Sequence, residues 1–557
     1  MNSRKRPAST EDDESEGAKC NSTLDLGHLK RPLIDEPPLE QPACSSQQYF
    51  VETASTILKL KKLDKQVLKM IAKGHHTLSI VEEPEFRKLV KNVSRFRGYR
   101  LQTRRSLTNE LLPNVCREIL ENVKSKIRSS LAVCLTTDSW TSTTNVCYVT
   151  VTAHYIESEN TELKSYLIGC SEIKDGFSDD GLYNFFKNIM LEFDIWNKVS
   201  AIVSDDNVVN IAAVVRQGPW SEISCFAQAL QRILHTSLDV VNDIIEKTKK
   251  IVEYLHNSTP GLEIIKEVEQ QMGITITQLK PEVEKHGCDT YQMLESIINL
   301  KNILLAKFAL QCPHLLLSPE EWEYLTEIIH ILKPFYEVIQ EICAENNVML
   351  SKASVLSNLL QSFIAKCFSR HTKVTAVITK IKNEMNAYDF GDYENNYLYA
   401  ESILLDPRFK RNGFRSNSAY ETAVEKLRNR INSIRLNIDN QIRTSSAEQG
   451  NSIWHDFDQD VYKNFRAEDN VAAAKLEFDN YLEEEYLERK NDPLIWWNKR
   501  KNIYPRLYQY ALKRLCNLAT SVPSEQIFSS TAQTIRDRRM HLEPEEVSSL
   551  VFLHHNM

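Results

Sequence analysis

Segments with the composition of β-strands occur in one short part of this chain, and helical patterns occupy nearly all the rest. Glycine accounts for only 14 of 557 residues, which disfavours a turn-rich all-β fold. The strand-like runs are rich in β-branched and aromatic residues and lie at residues 131–140, 146–156, 163–173 and 199–205. A helical stretch separates the third run from the fourth, so the pattern predicts an α/β mixed sheet inside a mainly helical chain.

Composition divides the chain into five predicted segments. The first is rich in Asp, Glu, Ser and Pro and indicates a disordered tail, in which the basic residues at 4–6 are either a nuclear import signal or ordinary tail charge. The second is helical and basic, the third holds the strands, the fourth is helical, and the fifth is helical and apolar to its end. The segments are residues 1–48, 49–127, 128–220, 221–490 and 491–557.

Composition also excludes several classes of protein. No run of about 18 apolar residues exists, so no membrane span is predicted, and the N-terminus lacks the apolar region of a secretory signal. The twelve cysteines are spread singly without a Cys-x-x-Cys pair, which indicates reduced intracellular thiols. The net charge of −7 means that any nucleic-acid surface has to be local.

Residues 86–106 form a dense basic stretch with eight Lys or Arg residues and no acid. Cations at this density release counterions from a phosphate backbone, and guanidinium groups grip phosphate through two hydrogen bonds. The alternative is a solvated helix face in an otherwise acidic protein. The residues predicted to bind DNA are Arg95, Arg97, Arg100, Arg104 and Arg105.

Two aspartates stand at predicted strand ends. Asp138 ends the first strand and Asp206 follows the fourth, so neighbouring strands would bring the two side chains together. Paired carboxylates of this kind suit a two-metal Mg²⁺ site for phosphoryl transfer. The alternative is that Asp206 caps the helix that follows it.

Several motifs, taken together and in order, resemble the hAT superfamily of DNA transposases, and more closely its domesticated relatives that carry a BED finger. The resemblance runs from about residue 57 to the end of the chain. The motifs that carry it are LTTDSWTSTTNVCYVTVTAHYI, ELKSYLIGC, KVSAIVSDDNVVNIAAVV, LLDPRFK and ATSVPSEQIFSSTAQTIRDRRMHLEPEEVSSLVFLHHNM.

The resemblance implies a ribonuclease-H-like fold interrupted by a large helical insertion domain. In this family an Asp-Asp-Glu triad holds two divalent ions for DNA cleavage and strand transfer. The positions that match the triad are Asp138, Asp206 and Glu525, and Mg²⁺ is the cofactor that it implies if the triad is functional.

Other motif positions depart from the family pattern. Gln228 stands where the family has the histidine of a Cys-x-x-His motif, and His286 and Gly287 replace an Arg-Trp pair. Gln526 replaces an arginine, and no zinc finger is predicted, since residues 22–32 resemble the end of a BED finger without its paired cysteines. We therefore expect a nuclear, transposase-derived protein that binds DNA or chromatin without transposition. The alternatives are an active Mg²⁺-dependent transposase or nuclease, and a protein-interaction scaffold without a DNA role.

The last residues of the chain are apolar on more than one side of a short helix. The resemblance assigns this end to a dimerisation region, which predicts a homodimer with two-fold symmetry. The alternative is that these side chains are covered within one chain. The predicted dimer residues are Val547, Leu550, Val551, Phe552 and Leu553.

Overall fold

The structure is a computed structural model, and it divides into two compact units, Met1–Lys59 and Leu60–Met557. The sheet and helices α2 to α19, defined below, belong to the second unit. The residues that it describes are 45–93, 99–141, 147–173, 179–204, 214–215, 217–272, 287–344, 349–388, 390, 392–432, 469–521 and 543–557.

Helices dominate the described part of the chain, as the scarcity of glycine predicts. They are α1 (Ser45–Lys73), α2 (Pro84–Val93), α3 (Arg104–Ser106), α4 (Leu112–Arg128), α5 (Asp179–Glu192), α6 (Phe226–Leu238), α7 (Asn242–Asn257), α8 (Thr259–Met272), α9 (Gly287–Asn299), α10 (Lys301–Gln311), α11 (Pro319–Ala344), α12 (Leu350–Lys366), α13 (Thr372–Ala387), α14 (Tyr397–Leu405), α15 (Asn417–Asn432), α16 (Asp469–Glu483), α17 (Pro493–Arg500), α18 (Pro505–Leu515) and α19 (Pro544–Asn556).

The predicted mixed sheet is present and has five strands in the order β3-β2-β1-β4-β5. The first three pair antiparallel as consecutive hairpins, and β4 and β5 add in parallel on the other side of β1. The strands are β1 (Val133–Thr141), β2 (Cys147–Ile156), β3 (Leu163–Ile173), β4 (Val199–Ser204) and β5 (Ser221–Ser224). Helix α5 makes the crossover from β3 to β4. The four strands predicted from the sequence are therefore confirmed as β1 to β4.

The fifth strand is a difference from the sequence prediction, which has the helix after residue 220 begin at Ser221. Residues Ser221–Ser224 instead pair with β4, and only Ile223 among them is buried. One apolar residue within four gives no periodic signal, so the strand is fixed by its neighbour and not by its own pattern. Helix α6 begins after it, at Phe226.

The two faces of the sheet are covered by different helices because side chains alternate along each strand. Leu135 and Ile202 face one side, where they pack in a core with α5 and the second half of α4. Cys134 and Val203 face the other side and join a large helical core that contains α6 and most helices up to α13. We call that large core the first helical cluster.

A separate core contains helices α14 to α18, and Ala132, Ile156 of β2 and Met349 also belong to it. We call it the second helical cluster. Trp497 and Tyr481 are among its largest fully buried side chains. Trp497 Nε1 donates a hydrogen bond to the Leu405 carbonyl at 2.9 Å, so even its aromatic residues tie helices together through polar atoms.

Two further sequence expectations can be compared with local structure. Ser318 followed by Pro319 and, three residues on, by Glu321 predicts a capping box at the start of α11. The structure confirms it, since the Glu321 carboxylate accepts from Ser318 N–H at 2.7 Å and Ser318 Oγ accepts from Glu321 N–H at 3.1 Å. Within the described ranges, none of the helices combines the length and apolar content needed to cross a membrane. Of the predicted disordered tail at residues 1–48, residues 1–44 lie outside the described residues, and residues 45–48 belong to α1, which corrects the predicted boundary.

Candidate functional site

Asp138 lies inside the central strand and not at its end, which corrects the sequence expectation. It is the sixth of nine residues in β1, because antiparallel pairing with β2 continues as far as Thr141. On the other side, the described parallel pairing with β4 ends one residue earlier, at Thr137 and Ser204. Asp138 therefore stands where the β4 side of the strand becomes unpaired while the β2 side is still paired.

Asp138 is buried. Only 6% of the residue is exposed, and its Oδ1 accepts the N–H of Ser139 at 2.8 Å. Asp138 shares its face of the sheet with Cys134, whose neighbours on β4 and β5 are covered by α6. On β2 and β3 the same face is covered by α19, through Tyr148 and Leu167.

The first turn of α6 is held against the segment that follows α18. Phe226 N–H donates to the Ala519 carbonyl at 2.8 Å, and Ser521 N–H contacts Cys225 Sγ at 3.4 Å. Cys225 N–H also donates to the Ser204 carbonyl at 2.9 Å, where β4 ends. One buried cysteine thus joins the end of β4, the start of α6 and the chain that leads toward Glu525.

The other predicted triad members are not described. Asp206 and Glu525 lie outside the described residues, as do His286 and Gln526. Gln228 is described and lies in the first turn of α6, three residues after Cys225. Gly287 is described as well, as the first residue of α9, so the structure places one acid of the triad and two of the departures from the family pattern.

The described residues do not by themselves form a metal site. Among them, no group of three or more His, Cys, Asp or Glu side chains comes together in a way that could hold a metal ion. Asp138 alone supplies too few oxygen ligands for Mg²⁺. We therefore derive no metal-dependent step from the described residues.

One polar residue of this face was missed by sequence reasoning. His154 on β2 is fully buried and forms hydrogen bonds with Thr136 Oγ1 through Nε2 and with Ser165 Oγ through Nδ1, both at 2.8 Å. Burial, with a smaller contribution from His555, lowers the pKa of His154 to about 3, so the ring is neutral at physiological pH. A histidine inside a β-branched strand carries no periodic signal that distinguishes it from its neighbours.

The predicted DNA-binding arginines are described in part. Arg95 and Arg97 lie outside the described residues, whereas Arg100, Arg104 and Arg105 are exposed to solvent. Thr103 caps α3 by accepting from Ser106 N–H at 3.2 Å. That cap fixes the backbone that carries the second and third of these arginines.

The apolar residues at the end of the chain are covered within the chain itself. Helix α19 packs Leu550 and Leu553 into a core with α1 and α4, and Val547 and Val551 against Tyr148 and Leu167 of the sheet. All four are at most 5% exposed, and Phe552 is partly exposed. These four residues therefore follow the alternative in which the side chains are covered within one chain, and Phe552 alone among the five predicted dimer residues keeps partial exposure.

Matches to family models cover three parts of the chain. Residues 136–217 match the ZBED1 RNase-like domain, and residues 223–331 match the ZBED1 RNase-like helical domain. Residues 477–557 match the hAT family C-terminal dimerisation region. The three matches follow the order of sheet, first helical cluster and terminal segment.

Curated relatives are similar along most of the chain. Human zinc finger BED domain-containing protein 4 is 23% identical over 89% of this chain and 44% of its own length. Human zinc finger BED domain-containing protein 6 is 22% identical, over 98% of this chain and 62% of its own length. A putative AC transposase of Zea mays is 23% identical over 78% of this chain and 57% of its own length. The chain thus spans about half the length of the curated relatives it matches.

Proposed function

The chain belongs to the hAT family of transposase-derived proteins, and from that premise we propose that it is a domesticated member that dimerises and binds DNA or chromatin in the nucleus without transposition. The observation that carries the proposal is the position of Gln228. It occupies the first turn of the helix that joins the end of β4 to the segment before Glu525, where the family pattern has a histidine. An amide does not titrate near neutral pH and cannot act there as a cation or a proton carrier.

The arrangement of strands supports a ribonuclease-H-like fold as part of this proposal. The described parallel pairing of β1 with β4 ends at Thr137 and Ser204, one residue before Asp138 and two before Asp206 in the sequence. Ser521, which contacts Cys225 at the start of α6, precedes Glu525 by four residues in the sequence. With the family resemblance, this supports our proposal that the three acids form a vestigial site.

A nicking assay tests whether this site has lost its activity. The full chain, supplied with supercoiled DNA and either Mg²⁺ or Mn²⁺, should give no nicked product above a no-protein control. Asp138→Asn should give the same background, because the carboxylate that it removes performs no reaction. Metal-dependent nicking that disappears in Asp138→Asn would instead identify an active nuclease.

DNA binding is proposed for the surface that carries Arg100, Arg104 and Arg105. Each phosphate contact that is lost should lower the slope of log affinity against log salt by about one unit. Changing the three arginines to glutamine should therefore lower the slope by about three, as measured by fluorescence anisotropy with duplex DNA. No salt-dependent binding by the unmodified chain would favour a protein-interaction scaffold.

Self-association is proposed from the match to the dimerisation region at residues 477–557. Sedimentation should show a dimer at micromolar concentration, and a monomer there would contradict the proposal. Leu550 is a poor probe of the dimer, since it is fully buried within its own chain and Leu550→Asp would unfold the terminal helix. Phe552 is partly exposed, so Phe552→Asp is the better variant for weakening a dimer while the fold remains.

A further inference from the structure

Positive charge is concentrated in one short part of this acidic chain. Residues 61–105 contain thirteen Lys or Arg and four Asp or Glu, a net charge of +9. Since the whole chain carries −7, the remaining residues carry −16. The basic stretch at residues 86–106 accounts for only eight of the thirteen cations, and the other five are lysines of α1.

Four of these lysines form a row along α1, which we call the lysine ridge. Its members are Lys61, Lys65, Lys69 and Lys73. They recur every fourth residue, so each follows the last by about 6 Å along the helix axis and by about 40° around it. The ridge is about 18 Å long, which equals the axial rise of about five phosphates on one strand of DNA.

Another side of α1 is buried. Leu68 and Ile71 are fully buried in the core that α1 shares with α4 and α19. Lys61 and Lys73 are exposed and Lys69 is partly exposed. The lysines are therefore presented outward by an amphipathic helix whose apolar side is already in use.

A buried aspartate joins the ridge to the basic stretch. Asp64 lies on α1 between Lys61 and Lys65, and it accepts a hydrogen bond from Tyr99 Oη at 2.6 Å and from Gln102 Nε2 at 3.2 Å. Tyr99 immediately precedes Arg100, and Gln102 lies two residues before the second exposed arginine. The arginines are thus anchored beside the ridge, and lysines and arginines belong to one surface.

Few of the charges on this surface are compensated by residues that the structure describes. Lys65 forms an ion pair with Glu118 of α4, whereas Lys61, Lys69 and Lys73 make no ion pair with any described residue. Lys73 is exposed as a residue, but neighbouring protein atoms remove part of the water around its ammonium group, and this desolvation, with the nearby charge of Lys69 in addition, lowers its pKa. Like charges one turn apart destabilise a helix slightly, so an external polyanion would relieve this repulsion.

We propose that the lysine ridge and the neighbouring arginines form one continuous binding surface for the phosphate backbone of duplex DNA. The proposal rests on the proposed DNA-binding function and identifies α1 as its larger part. Lysine contacts phosphate as a point charge and does not read base edges. The ridge therefore contributes affinity and positions the protein along the strand, but it gives no preference for a base sequence.

The test compares three glutamine triples in the full-length chain. Lys61→Gln/Lys69→Gln/Lys73→Gln removes three ridge charges, and Arg100→Gln/Arg104→Gln/Arg105→Gln removes the arginines. Lys266→Gln/Lys333→Gln/Lys426→Gln is the matched control, because all three lysines are exposed and lie on other helices. Binding to a fluorescent duplex is measured across a range of salt concentrations, and circular dichroism confirms that each variant is folded.

The ridge triple should lower the salt slope by about three units and raise the apparent Kd at 0.1 M salt by tenfold or more, while the control triple changes neither. An unchanged salt slope in the ridge triple, with a reduced slope in the arginine triple, would overturn the proposal that the ridge binds DNA and would leave DNA binding by the arginines standing. Absence of salt-dependent binding in the unmodified chain would overturn the DNA-binding function itself. Binding to vesicles of anionic lipid but not to duplex DNA would also overturn the proposal.

Discussion

The interior of the second helical cluster and the surface of α1 both carry lysine and arginine, but under opposite conditions. In the interior, Arg408 forms a bidentate ion pair with Asp406, with N–O distances of 2.9 and 2.7 Å. Lys410 Nζ donates hydrogen bonds to the carbonyls of Tyr481 and Glu484, both at 2.6 Å. On α1, three of the four ridge lysines have no counter-ion among the described residues. A cation whose partners lie within the chain maintains the fold, and one without such partners is available to a ligand.

Asp406, Arg408 and Lys410 all belong to the LLDPRFK motif, one of the motifs that resemble the hAT superfamily. Asp406 is fully buried and also accepts from Ser351 Oγ at 2.7 Å, so the motif connects α12 to the turn after α14. The Lys410 ammonium group donates to two carbonyls at the end of α16. The backbone of Lys410 itself has a positive φ of 41°. These contacts are structural, because each of them ties one helical part of the chain to another.

The largest expected effect is the loss of the interior pair. Asp406→Ala should reduce the free energy of unfolding by about 3–5 kcal/mol, because the Arg408 guanidinium would be left buried without its carboxylate. Denaturant titration of the variant and the unmodified chain measures the difference. Asp479→Ala is the matched control, since Asp479 pairs with Arg428 at the same 2.7 Å but both side chains are about one third exposed.

The control should lose no more than about 1 kcal/mol, as is usual for an exposed pair. Equal losses in the two variants would contradict the comparison, because burial would then make no difference to the value of an ion pair. A small loss in both would show that the interior cations are dispensable for the fold.

His154 extends the comparison to an interior base that has no carboxylate partner. Its two ring nitrogens face hydroxyl groups, and burial keeps the ring neutral with a pKa of about 3. The unfolded chain binds this proton near pH 6.5, so stability is complete above that value and is lost as pH falls toward 3. The expected loss at pH 4 is about 3 kcal/mol from this residue.

Unfolding free energies measured between pH 7 and pH 4 test this expectation. His154→Gln retains hydrogen-bonding atoms but cannot titrate, so its stability should depend less on pH in this range. His555, whose pKa is lowered to about 4 by burial and then by Lys73 and His554, should leave a residual acid dependence in that variant. Identical pH profiles for the two proteins would show that His154 is not the group responsible.

Elements with a periodic or local sequence pattern were predictable, whereas elements defined by distant neighbours were not. The strands β1 to β4 and the capping box at Ser318 were predictable because each has a repeating or local pattern. Strand β5 and His154 were not, since both are defined by neighbouring strands. The lysine ridge was missed because its residues are spaced by four, so a search for dense basic stretches passes over it.

The candidate site was predictable only in part. Asp138 was identified from its motif, and it lies on the central strand of the sheet, although the end of that strand was misplaced by three residues. The coverage of Leu550 by α1 and α4 could not be foreseen, because a contact across 433 residues, such as Cys116 Sγ to the Ser549 carbonyl, has no trace in local sequence. Hydrophobic patterning shows that a surface is covered but does not identify what covers it.

A smaller effect is expected when the interior lysine is changed. Lys410→Met keeps the side-chain volume but leaves the carbonyls of Tyr481 and Glu484 without their donor, which should reduce stability by about 2 kcal/mol at pH 7. Burial lowers the pKa of Lys410 to about 8. Between pH 8 and about 10.5 the unfolded chain therefore holds a proton that the native chain has released, so native stability rises with pH in this window.

The variant lacks that gain, so the difference between the two proteins should increase by about 2 kcal/mol from pH 7 to pH 9.5. Denaturant titrations at the two pH values measure the change. A difference that stays constant with pH would mean that Lys410 keeps its ordinary pKa, and that its contacts, not its buried charge, determine its contribution.

The smallest effect on stability is expected on the lysine ridge. Lys61→Gln/Lys69→Gln/Lys73→Gln should change the free energy of unfolding by less than about 0.5 kcal/mol, because glutamine and lysine have similar helix propensities and no described ion pair is lost. Any change should be a slight gain, since the repulsion between Lys69 and Lys73 is removed. Thermal and denaturant unfolding of the triple variant measure this change, and Lys65→Gln, which breaks the pair with Glu118, is measured beside it.

A loss above about 2 kcal/mol in the triple would place the ridge with the interior cations, as part of the fold. A near-zero change, together with a reduced salt slope for DNA, would separate binding from stability, which is the distinction that the two regions predict.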